Sequence, residues 1–128
     1  MPRTFHAFIV ASTTIILLGA FVVTRTTGPV IFGFGALDAV ALVMGASGLA
    51  ITFLVRQRLP ALSGDPEEWW RVNLGRAVLI WVFFEVPAVI GAITLMATRH
   101  VPAFSLLGTM ALAGLIVARP SKLVTVGR

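Results

Sequence analysis

Five carboxylates, two histidines and no cysteine make up the acid, base and metal-binding stock of this chain. Asp65, Glu67 and Glu68 sit together in a polar connection, whereas Asp38 and Glu85 stand inside apolar runs. An ionised carboxylate at membrane depth costs a few kcal/mol or more, so it normally faces protein or a water-filled cavity and is a functional candidate by default. Glu85 lies near the middle of RVNLGRAVLIWVFFEVPAVIGAITLMAT, with Pro87 two residues beyond it. Proton binding is the chemistry open to such groups, and Glu85 and Asp38 are the predicted proton-binding residues. Pro87 removes a backbone hydrogen bond to the Phe83 carbonyl; it either shapes the helix beside Glu85 or serves packing alone.

His6 and His100 stand at the ends of apolar runs, and neither has a second ligand at helical spacing. They read as polar residues at the membrane interface, so no metal site and no cofactor is predicted. Without cysteine there are no thiolate ligands, disulfides or cysteine nucleophiles. No nucleophile with an adjacent base, phosphate loop, HExxH pattern or cofactor fingerprint occurs, which argues against an enzyme.

The elements that must position these groups are membrane helices. Of 128 residues, 58% are hydrophobic and 12% charged, and the mean hydropathy is +0.99, outside the soluble globular range. Four apolar runs, at 5–24, 29–55, 66–98 and 101–118, each approach the ~20 residues that cross a bilayer. The fold class expected is therefore all-α: an integral membrane four-helix bundle of antiparallel up-down topology, forming one domain over 1–128. Arg3, Arg56, Arg58, Arg71, Arg76, Arg119, Lys122 and Arg128 fall on the side of the termini and the 56–65 loop, leaving Arg25 and Arg99 on the other. By the positive-inside rule both termini face the cytoplasm, in a multi-pass protein of the cell (inner) membrane. The +5 charge does not point to nucleic acid, because the cations mark run ends instead of lining a polar face.

In the cytoplasmic loop, Asp65 is the predicted N-cap of the third helix, Pro66 its first residue, and Glu67 and Glu68 first-turn acids able to pair with Arg71. Trp69, Trp70, Arg56, Arg58 and Arg71 are predicted interfacial anchors. On the second helix Asp38, Ala41, Gly45, Gly48 and Thr52 share one narrow face at about 100° per residue. Ala41, Gly45 and Gly48, with Pro87 and Gly91 on the third helix, are the predicted helix-packing residues, since small side chains let backbones approach. An antiparallel hairpin places Asp38 and Glu85 at similar depth. Two placements of Asp38 stay open, one against Glu85 and one nearer the outer surface, bonded to its turn.

Arg56 and Gln57 in the loop, with Glu85, Pro87 and Gly91 in FFEVPAVIGAI, resemble the helical hairpin of subunit c of rotary ATP synthases. The resemblance covers about half the chain and implies a proton-carrying Glu85 that moves past an arginine on a partner. This chain adds a helix on either side of the hairpin, and the glycine alternation begun by Gly33 and Gly35 does not continue. The expected function is that of a small polytopic subunit packing into a larger respiratory or photosynthetic membrane complex, with Glu85 as a buried titratable group. The alternative is a subunit c-like proton carrier in a homo-oligomer. Expected partners are the lipid bilayer and other membrane subunits or copies of the chain.

Overall fold

Helix formation follows the apolar runs except at residues 28–35. A computed structural model describes residues 2–62 and 64–123, the last two by backbone alone. The protein is all-helical: α1 (Pro2–Thr27), α2 (Ala36–Gln57), α3 (Pro66–Thr98), α4 (Val101–Val117) and a single turn, α5 (Pro120–Leu123). The first three are long and apolar enough to cross a membrane. With 17 residues, α4 rises about 26 Å, slightly less than the ~30 Å hydrocarbon core. The Lys122 side chain and Arg128, counted above among the inner-side cations, lie outside the described residues.

The predicted bounds of the third helix match α3, and those of the fourth differ from α4 by one residue. The second helix requires correction, because α2 starts at Ala36 and not near Pro29. Residues 28–35 carry Gly28, Pro29, Gly33 and Gly35, and their backbone makes extended bonds instead. The Ile31 N–H donates to the Arg99 carbonyl and the Val101 N–H to the Ile31 carbonyl, both at 2.8 Å. At its other end α2 runs on through Arg56 and Gln57, which therefore belong to the helix rather than to the loop.

Packing centres on α3. Its buried residues, from Trp69 to Leu95, recur at helical spacing and meet α1, α2 and α4, so that α1 and α2 flank the α3 and α4 pair. Ala77, Ile80, Trp81 and Phe84 join Ile9 of α1 and Leu115 of α4 in the larger apolar cluster. The outward faces are apolar too: Phe8 is 72% exposed, Ile15 69% and Val43 66%. An outer surface of this kind suits lipid and reverses the pattern of a helix in water.

The small-residue face of α2 is buried at Asp38, Ala41, Gly45 and Thr52. Although α2 as a whole packs mainly on α3, its neighbour at Gly45 is α4. A Cβ built on Gly45 would fall 2.2 Å from Leu107 Cδ2, and one on Gly91 would fall 3.1 Å from Leu107 Cβ. Leu107 thus fills the gap between two helices that lack side chains there. A Cβ built on Gly48, on the same face, would meet nothing within 4 Å. Pro87 is fully buried inside α3.

At the loop end Asp65 caps α3, its Oδ1 accepting from the Glu67 N–H at 3.2 Å, with Pro66 at the first position. Arg71 forks onto Glu68 through bonds of 2.5 and 3.0 Å. Trp69 is 6% exposed and donates Nε1–H to the Pro60 carbonyl at 3.1 Å. It therefore holds the loop against the bundle. Trp70 packs edge-on to Trp69 and stacks over Trp81.

Candidate functional site

Glu85 and Asp38 occupy separate sites. Asp38 bonds to His100, beyond the C-terminal end of α3, and that end lies about 20 Å along the helix from Glu85. Other pairings give the same register: Ala41 shares a groove with Ile90 and Thr94, and Phe53 meets Phe84 edge-on. Asp38 therefore lies level with the last turn of α3, well away from Glu85.

Glu85 is half-buried on the flank where α3 meets α1. Ser12 of α1 donates Oγ–H to Glu85 Oε1 at 3.0 Å. The serine is free to do so, whereas its neighbours Thr13 and Thr14 bond back to the carbonyls of Ile9 and Val10 at 2.9 Å, as hydroxyls in apolar helices commonly do. Beside Glu85 the surface is apolar and open, with Val82 41%, Phe83 43% and Val86 38% exposed. One turn back, the Phe83 carbonyl receives no N–H from Pro87. The Glu85 carboxyl group therefore has one hydroxyl donor and an open, apolar side.

The second site forms at the opposite end of α2. Gly35 is the N-cap, and its N–H donates to Asp38 Oδ2 at 2.7 Å, the acid at the third helical position reaching back to the cap. The His100 ring bonds the same oxygen through Nδ1. Asp38 is fully buried, and its Oδ1 has no partner among the described residues. The His100 ring lies over the glycine loop, so that a Cβ on Gly33 would fall 3.3 Å from its Nε2. A Cβ at that position would require the imidazole to give by a few tenths of an ångström. Asp38 is thus bonded to its turn, as one of the two placements required, but buried beneath the loop.

Arg99 completes this end of the bundle. At a φ of +63° it turns the chain from α3 to α4. Its guanidinium donates to the Thr24 carbonyl at 2.7 Å and to Thr27 Oγ1 at 2.8 Å, tying the turn to the end of α1. His6 does the reverse at the far end. Its Nε2–H donates to the Leu115 carbonyl at 2.7 Å, and Trp81 Nε1–H donates to the Ala118 carbonyl at 2.7 Å. Both acceptors belong to the last turn of α4, where helix carbonyls lack internal donors. Each histidine makes a long-range bond.

Helical-spacing rules miss the bonds of Ser12, His100, Arg99, His6 and Trp81, because the partners lie far apart in sequence. Only the Gly35 and Asp38 contact of the Asp38 site is local, at three residues. Among the described residues no group of three or more histidine, aspartate or glutamate side chains is placed to hold a metal ion. No family model matches this chain, and no curated protein or solved structure matches it either.

Proposed function

We propose that this chain is a small multi-pass membrane subunit that packs into a larger bioenergetic membrane complex, with Glu85 as a proton-exchanging group at the contact. In this reading the helices run antiparallel, up and down, with both termini on the cytoplasmic side. The observation that carries it is the placement of Glu85. Its carboxyl group is half-buried beside Ser12, yet opens onto a flank whose other residues are apolar and exposed. A carboxylate left against lipid is costly, so a second helix covering this flank stabilises it. Such a helix would also determine whether the proton stays or leaves.

A second reading, a proton carrier among identical copies, draws on the Glu85, Pro87 and Gly91 context together with the same open flank. In that case the covering helix belongs to another copy of this chain. The two readings separate on the particle extracted in mild detergent from its own membrane. Co-migration at low copy number with larger, different subunits supports the first, and a homo-oligomer of many copies supports the second. Glu85→Gln should leave either particle assembled. Loss of proton-coupled activity in that variant assigns the proton to Glu85, and full retention removes Glu85 from both readings.

A further inference from the structure

Arg76 sits about 15 Å into α3, where the helix is otherwise turning apolar. Arg58 is the C-cap of α2. Both line a cleft of about 390 Å³ between α2 and α3, a volume within the ~300–1,000 Å³ of small-molecule sites. The rest of its lining is apolar: Val55, Leu59, Leu79, Phe83 and the fully buried Ile80. No carboxylate lines it, and among the described residues neither guanidinium is paired. The last carbonyls of α2 are already engaged, Val55 by the Arg58 N–H at 3.0 Å and Arg56 by the Leu59 N–H at 3.1 Å. They therefore leave the cations free for an external acceptor.

We propose that this cleft binds one anionic phospholipid, its phosphate held between Arg58 and Arg76 and an acyl chain lying along Val55, Leu79 and Phe83. Charge complementarity and position select this occupant. Two unpaired guanidiniums lining an otherwise apolar trough, at the end of a membrane-length helix, match a phosphate joined to a hydrocarbon chain. Arginines near helix ends extend to the headgroup layer while their stems cover apolar surface. The site is independent of Glu85 and needs only that the helices lie in a bilayer.

Native mass spectrometry of the full chain in mild detergent, doped with phosphatidylglycerol or phosphatidylcholine, tests the site. One phosphatidylglycerol per chain is expected, at about thirtyfold preference, since each cation near the surface contributes about a factor of five. Arg58→Gln/Arg76→Gln should erase the preference, while Arg25→Gln, at the opposite end of the bundle, should leave it unchanged. Leu79→Trp narrows the trough without touching charge and should weaken phosphatidylglycerol retention while the helical signal in circular dichroism persists. Glycerol phosphate, which has no acyl chain, should not compete at matched concentration. Equal retention of the two lipids, an unaltered preference in the double variant, equal loss in Arg25→Gln, or full competition by glycerol phosphate would each overturn the assignment.

Discussion

Truncating the Asp38 and His100 pair from its two sides should give unequal losses. His100→Ala leaves a fully buried carboxylate whose Oδ2 keeps only the Gly35 N–H and whose Oδ1 has no partner. Stranding one member of a buried ionic pair costs about 3–5 kcal/mol in a sealed core. Here the glycine loop can shift and admit water, so a loss of about 2–3 kcal/mol is expected. Asp38→Ala strands the imidazole instead, but the His100 side chain is already 23% exposed and can turn to solvent. That variant loses one side-chain hydrogen bond and the contact to the Gly35 cap, each worth about 1 kcal/mol, for a total of about 1–2 kcal/mol. The double variant should lose little more than Asp38→Ala alone, which gives a coupling energy of about 2 kcal/mol. Reversible unfolding by sodium dodecyl sulfate titration in mixed micelles, followed by circular dichroism and tryptophan fluorescence, measures all three. Asp38→Ala proving the more damaging single change, or strict additivity in the double variant, would refute the reasoning.

The small-residue face of α2 supplies a test by sign. Gly48→Ala meets open space and should stabilise by up to about 1 kcal/mol through helix propensity, whereas Gly45→Ala runs into Leu107 and should cost about 1–3 kcal/mol by overpacking, both read in the same titration. Ser12→Ala removes the hydroxyl bonded to half-buried Glu85 and should lower stability by about 1 kcal/mol; restoration by Ser12→Thr would identify the hydroxyl as the cause. Trp69→Phe keeps the ring but loses the bond to Pro60, and limited proteolysis should then cut the loop between α2 and α3 several times faster. Trp81→Phe leaves the Ala118 carbonyl without its side-chain donor and should cost about 1–3 kcal/mol.

How much of this was legible depended on whether the signal was local. The start of α3 is written in Asp65, Pro66, Glu67 and Glu68, where cap, first residue and dipole-complementing acids agree, and α3 begins there. The start of α2 was not legible from hydropathy, because Val30, Ile31 and Phe32 are as apolar as any membrane run. What removes them from the helix is the backbone pairing of Ile31 with the turn between α3 and α4, a contact fixed only once the helices pack. The small-residue face could be read from spacing, but spacing alone does not reveal that Gly45 receives Leu107 while Gly48 receives nothing. At the candidate sites the acids announce themselves by standing in apolar runs. Their partners Ser12 and His100 do not, since nothing local distinguishes a serine that back-bonds from one that reaches another helix.

The bonds that His6 and Trp81 send to the last turn of α4 bear on biogenesis. A chain emerging from the ribosome completes α1 and α3 first, and both donors then wait for acceptors that have not been synthesised. At 17 residues α4 is also shorter than α1, α2 and α3, and two carbonyls at its C-terminal end are bonded by side chains of α1 and α3. Docking of α4 therefore supplies acceptors for side chains of α1 and α3 that those helices do not satisfy by themselves. Nascent chains arrested after α3 should show His6 and Trp81 open to chemical labelling, and chains arrested after α5 should show them protected.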